Sequence, residues 1–166
     1  MSRHAARSGG EVTLDPARKA EGRSKHSTEP APQFGALPWR EARAGGIEVL
    51  LISSRDSGRW IIPKGWPIEG RTGAETATVE AYEEAGIEGV ADGQPIGTFD
   101  YLKCDKRRPD RWCRVTVYPL EVKTELADWP ERDARRLVWL GPEEAAGRAD
   151  DAGLAVLIRA LAARGH

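Results

Sequence analysis

The amino-acid sequence predicts an α/β fold whose strands are flanked by two helical layers, and three observations carry that expectation. Ile47-Glu48-Val49-Leu50-Leu51-Ile52 is apolar and β-branched, with the length of a buried strand. A glycine- and proline-bearing loop then leads into a segment with helix start and stop signals. Further extended segments and two more helical ones complete the chain, so a sheet can be covered on both faces.

The elements follow in order. Met1 to Pro32 is rich in Ser, Gly, Pro, Ala and mixed charge, with almost no large apolar side chain. Such a stretch buries too little surface to offset ordering and is expected to be disordered, leaving one domain over residues 33–166. Phe34, Leu37 and Trp39 suggest a first strand, and Pro38 within it points to a sheet edge, where a missing N–H is tolerated. The 47–52 strand ends at Ser53-Ser54, and Arg59-Trp60-Ile61-Ile62 is a second short extended piece. Pro63 stops regular structure, and Gly65, Pro67 and Gly70 mark an ordered loop.

Thr72 and Glu75 have the spacing of a capping box, which starts a helix expected from Gly73 to Ala85. Gly86 supplies the left-handed residue that ends it. Ala74, Ala77, Ala81 and Ala85 recur at helical spacing, a small apolar stripe for close packing on a sheet. Residues 95–103 and 112–123 read as extended, joined by a turn over residues 105–111. Val138-Trp139-Leu140 is a short strand, and Gly141-Pro142-Glu143-Glu144 opens a helix with Pro early and acids in its first turn. A last helix starts at Asp150 or Asp151, with Leu154, Leu157, Ile158 and Leu161 as its core stripe.

At 166 residues, 40% apolar and 31% charged, the composition is that of one ordinary globular domain. No run has the length of a membrane-spanning helix, and the N-terminus lacks the apolar stretch of a secretory signal, so a cytoplasmic protein without a membrane partner is expected. Cys104 and Cys113 fall on neighbouring strands of a hairpin. Buried or half-buried thiols are expected there rather than a disulfide, and they lack partners at zinc-site spacing.

Chemistry concentrates in Glu80-Ala81-Tyr82-Glu83-Glu84-Ala85-Gly86. Its three carboxylates share one helix face, where like charges repel by a few tenths of a kcal/mol per pair, about the scale of other helix-surface pairs. A solvated acidic face is one reading. The other is a site for a hard divalent cation, which oxygen ligands bind directly. The glycine-bearing loop and capped helix around the cluster favour the second.

These residues resemble the Nudix hydrolases, whose box reads G-x5-E-x7-R-E-U-x-E-E-x-G-U with U a bulky apolar residue. Here the box runs from Gly65 to Ile87, with Glu80, Glu83, Glu84, Gly86 and Ile87 in register and a small Ala81 at one apolar place. It departs at Arg71, where a Glu is expected, and at Val79, where an Arg is expected. In the family those two side chains brace each other and the loop. Their joint loss removes a pair without orphaning a charge, which is far less damaging than losing one. Beyond the box, Ser53-Ser54-Arg55, Arg59 to Gly65, Glu84 to Gly89, Asp128-Trp129-Pro130-Glu131 and Val138-Trp139-Leu140 look like the diphosphoinositol polyphosphate phosphohydrolase branch. The resemblance spans roughly Phe34 to Ala163. It implies an α/β/α sandwich with a mixed sheet, and a metal site of Glu80, Glu83, Glu84 and the carbonyl of Gly65. Mg²⁺ fits such a site, with Mn²⁺ as a substitute. Glu80 is a candidate base, and Asp128 and Glu131 are candidates from a later loop.

A second cluster is basic. Lys103, Lys106, Arg107, Arg108, Arg111 and Arg114 gather on the expected hairpin of a chain whose net charge is only −1. They form either a solvated turn or a polyanion-binding field. Arg55, Arg59 and Lys64 add weight to phosphate recognition, so Arg55, Arg59, Lys64, Lys103, Arg107 and Arg108 are the expected substrate-binding set. Near-neutral overall charge disfavours nucleic acid. Trp66 and Tyr101 are either packing residues or platforms for a base. The expected reaction is metal-dependent hydrolysis of a diphosphate in a small phosphorylated substrate, with diphosphoinositol or diadenosine polyphosphates favoured. ADP-ribose or nucleoside triphosphates, and a catalytically silent binding module, are the alternatives.

Overall fold

The computed structural model describes residues 29–165, so the expectation of disorder for residues 1–28 lies outside the described residues. β1 (Ala31–Glu41) begins two residues earlier than expected, with Ala31 buried. It is followed by β2 (Ile47–Ser53), β3 (Trp60–Ile61), β4 (Lys64–Gly65) and α1 (Gly73–Ala85). The second half comprises β5 (Ile87–Ala91), β6 (Gly97–Asp105), β7 (Arg108–Glu125), β8 (Leu137–Leu140), α2 (Pro142–Arg148) and α3 (Ala152–Ala163). A short 3₁₀ turn, Arg132–Ala134, precedes β8.

All eight strands form one mixed sheet. The path β3-β2-β1-β7-β5 is extended by β4 on β1, β6 on β7 and β8 on β2. Only β1 and β7 run parallel; the remaining pairs are antiparallel. β2 shows why the sheet is covered twice. Leu50 and Ile52 join Ala77, Ala81 and Ala85 of α1 in one core, while Val49 and Leu51 join Leu154, Ile158 and Leu161 of α3 in the other. Alternate residues of a strand face opposite sides, so an unbroken apolar run requires helices on both. The α/β/α sandwich with a mixed sheet is thereby observed.

β1 is a correction. It lies between β7 and the β2–β4 side rather than at an edge. Pro38 is accommodated because β1 changes partner on that side: Phe34 and Gly35 pair with β4, whereas Trp39 to Glu41 pair with β2. Ala36 donates its N–H to the Pro63 carbonyl on that same side. Two residues on, the nitrogen of Pro38 faces the gap between the two partners, where a ladder bond is not needed.

The hairpin is also tighter than expected. β6 and β7 pair up to Asp105 and Arg108, so residues 106–107 alone make the turn. Cys113 is buried opposite Tyr101, and Cys104 is exposed rather than half-buried; both are free thiols. The expected helix α1 has the predicted bounds. Its capping box is complete: Glu75 N–H donates to Thr72 Oγ1 at 3.2 Å, and Thr72 N–H donates to Glu75 Oε2 at 2.9 Å. Gly86 ends it with φ of 64°.

Candidate functional site

The site forms where β4, the last two turns of α1 and the loop before β8 meet. Glu80 and Glu84 sit one helical turn apart on α1, with their carboxyls within reach of one another. Gly65 of β4 closes one side. A Cβ there would collide with the carboxylate of Glu80 and push that side chain away, so glycine lets the box strand and the acid lie this close. On the same strand, the N–H of Lys64 donates to Glu84 Oε2 at 3.3 Å.

The opposite side is held by Arg135, whose side chain is only 7% exposed. Its Nη2 lies 3.2 Å from Glu84 Oε1 and 3.3 Å from Glu131 Oε1, and its Nη1 donates to the Ser53 carbonyl at 3.1 Å. Its Nε is buried without a partner. The loop that carries Glu131 is tied to α1 by backbone bonds from Glu131 N–H to the Glu83 carbonyl, at 3.0 Å, and from Leu126 N–H to the Gly86 carbonyl, at 2.8 Å. Trp129 packs on Gly86 where a Cβ would stand.

These surroundings shift the titrations. Burial pushes Glu84 up to about 8, against the pull of Arg135 and with further help from Glu80. Burial also raises Glu80, and Glu83 and Glu131 add their repulsion. Lys64 moves the other way: burial lowers it to about 8, although Glu84 opposes the change. Two adjacent carboxyls that resist ionising together are the arrangement a cation relieves.

The donor set fits a hard divalent ion, being oxygen throughout and bordered by a glycine backbone. Among the described residues, no group of three or more His, Cys, Asp or Glu converges as a ready cage. A divalent ion that keeps some of its waters can bind such a partial set, since it needs few carboxylates.

In front of the acids opens a cleft of about 400 Å³ whose wall includes Arg55, Arg59, Lys64, Lys103 and Tyr101 as well as Glu84 and Arg135. A profile described as the NUDIX domain matches residues 29–161. The chain belongs to the Nudix family.

Its relatives within the family include Nudix hydrolase 13, mitochondrial, of Arabidopsis thaliana, 38% identical over 104 residues, or 60% of this chain and 52% of that protein. Diphosphoinositol polyphosphate phosphohydrolase 3-beta of Homo sapiens is 40% identical over 103 residues, 59% of this chain and 57% of that protein. The chain thus spans about half the length of the curated relatives it matches. Among solved structures, a C. elegans Ap4A hydrolase binary complex superposes with a TM-score of 0.60 at 23% identity, covering 81% of this chain and 96% of that one. That likeness concerns the fold.

Within this Nudix site the expected residues separate. Glu80, Glu84, Gly65 and Lys64 come together; Glu83 acts on Glu80 by its charge and supplies the carbonyl that holds Glu131. Arg55 and Arg59 line the cleft but each meets an acid: Arg55 stands 3.4 Å from Glu131 Oε1, and Arg59 donates to Asp150 Oδ2 at 2.8 Å. Arg107 and Arg108 are not brought in; they are exposed at the hairpin turn and beyond the cleft wall. Arg114 pairs with Asp100 across the hairpin instead. Of the later-loop acids, Glu131 joins the site and Asp128 is exposed.

Arg71 is exposed in the loop, and Val79 lies half-buried on α1. The residue that sequence reasoning missed is Arg135. Nothing in the spacing of Ala134-Arg135-Arg136 marks one arginine as buried, because its partners come from β2, α1 and its own loop.

Proposed function

We propose that this chain is a metal-dependent diphosphohydrolase, cleaving a P–O–P linkage in a nucleoside- or inositol-linked substrate. The observation that carries the reading is the Glu80–Glu84 pair, whose buried Glu84 lines a cleft walled by cations. Glu80, Glu83, Glu84 and the carbonyl of Gly65 would hold Mg²⁺ or Mn²⁺, which supplies neutralisation of the diphosphate oxygens and a more acidic bound water. The chain's own residues do the rest. Arg135 keeps Glu84 and Glu131 in place from behind. Lys64 and Lys103 orient phosphate from the cleft wall. Glu80, of the pair, or Glu131, which borders it, takes the proton of the attacking water.

Diphosphoinositol and diadenosine polyphosphates are the favoured substrates, in keeping with the names of a human relative and a structural neighbour. A second reading, ADP-ribose or a nucleoside triphosphate, draws on the acid partners of Arg55 and Arg59, which leave fewer cations for a heavily charged ligand. A silent binding module is disfavoured, because buried like charges destabilise the fold without return.

The test is a turnover screen of those four substrate types, with and without chelator, on the wild type and on Glu83→Gln/Glu84→Gln. The reading expects metal-dependent release of phosphate products, abolished in the double variant with its fold intact. Undiminished hydrolysis by that variant would overturn the site, and no turnover of any substrate would overturn the activity.

A further inference from the structure

Cations and aromatic rings alternate along one line from the acids toward the hairpin. Lys64 Nζ lies 4.7 Å from the centre of the Tyr101 ring. Two residues on along the same face of β6, Lys103 Nζ stands 5.7 Å from the centre of Trp66, and Arg111 Cζ stands 5.1 Å from that same ring. Tyr101 is pinned by donating its hydroxyl to Gln33 Oε1 at 2.7 Å.

Two features of this line need a reason. Lys103 and Arg111 are direct cross-strand partners, and like charges directly opposite are destabilising. Yet neither has a carboxylate partner among the described residues, whereas Arg55, Arg59 and Arg114 each do. Trp66 is 41% exposed and holds both cations by its ring, which carries no negative charge to neutralise either. Adjacent, unneutralised cations held on aromatic supports beside a cleft form a site for an anion with more than one charged group.

We propose that Lys64, Lys103 and Arg111 form a phosphate track that receives the phosphates beyond the pair being cleaved. Tyr101 and Trp66 are supports for its cations, not platforms for a base. This rests on the diphosphohydrolase reading and sharpens it: the site selects substrates that carry phosphates additional to the scissile pair. The exposed turn cations Arg107 and Arg108 have no part in it.

Two measurements on the full chain test the track. The first is calorimetric titration of metal-free protein with inorganic tripolyphosphate. Lys103→Gln/Arg111→Gln should weaken binding by about tenfold or more. Trp66→Ala, which removes no charge, should weaken it about threefold, and Trp66→Phe should restore most of that loss. The second compares KM for diadenosine tetraphosphate and for ADP-ribose. Arg111→Gln, which leaves the cleft wall intact, should raise the first about fivefold and leave the second within about twofold, with kcat little changed for either. Equal rises for both substrates, wild-type affinity in Trp66→Ala, or a matching loss in Arg107→Ser/Arg108→Ser would overturn the track. If neither substrate is turned over, the tripolyphosphate affinities decide the track by themselves, so its failure and that of the hydrolase reading are separable.

Discussion

The two walls of the cleft are built on opposite plans. On the α1 side, a buried Glu84 and a half-buried Glu80 lie against one another, bordered by a buried arginine, a backbone N–H and the absence of a side chain at Gly65. On the hairpin side, cations are half-buried or exposed, lie on aromatic rings and, in Lys103 and Arg111, meet no acid. The first wall is enclosed and the second open to solvent, and on the proposed reading that difference gives reaction type to the acids and substrate choice to the cations.

Substitutions should therefore divide by wall. The largest effect belongs to Glu83→Gln/Glu84→Gln, where kcat should fall about a thousandfold or more while circular dichroism and Tm stay near or above wild type. A loss expressed mainly in KM would erase the division. Next comes Arg135→Met, which leaves Glu84 and Glu131 without their shared cation. Chemical denaturation should show about 3 kcal/mol less stability, and activity should drop about tenfold to a hundredfold, with partial recovery in Arg135→Lys.

A third effect follows from the direction of the Glu84 shift. Its folded value of about 8 lies above the unfolded 4.5, so between those pH values the folded chain binds the extra proton and gains stability from it. Stability of the metal-free protein should accordingly decline as pH rises through that window. Scanning calorimetry should show Tm falling by about 5 °C from pH 5 to pH 8, with a flatter profile in Glu84→Gln. Lys64 does not mask this, since its lowered value of about 8 acts on stability changes only above that pH. The smallest effect is assigned to Lys106→Ser/Arg107→Ser/Arg108→Ser at the hairpin turn, where KM should move less than about twofold.

Legibility in the sequence followed the range of the interactions. Thr72, Glu75 and Gly86 act on their own helix ends, so α1 could be read to the residue, and with it the shared face of Glu80 and Glu84. The apolar run of β2 announced a sheet covered on both faces. Pro38 misled because its tolerance depends on where β1 exchanges β4 for β2, a property of three strands together. β5 escaped notice for a similar reason: Gly89 weakens its strand signal, yet glycine is required there because the Glu121 carbonyl of β7 occupies the space of a side chain, beside a bulge in the ladder. Arg135 and the Trp66 cluster were illegible because their partners lie on separate elements. The hairpin charges were visible as a group, but only the register sets Lys103 and Arg111 opposite one another, away from Arg107 and Arg108 at the turn.

The claim that the Glu80–Glu84 pair is a cation site is tested most directly by titrating metal-free protein with Mn²⁺ calorimetrically, at pH 7, in two buffers of different ionisation enthalpy. A Glu84 carboxyl held near 8 must lose its proton when an ion binds. The wild type should bind with release of about one proton, and Glu84→Gln should bind far more weakly and release almost none. Binding of equal strength and equal proton release in Glu84→Gln would place the ion elsewhere and contradict the account.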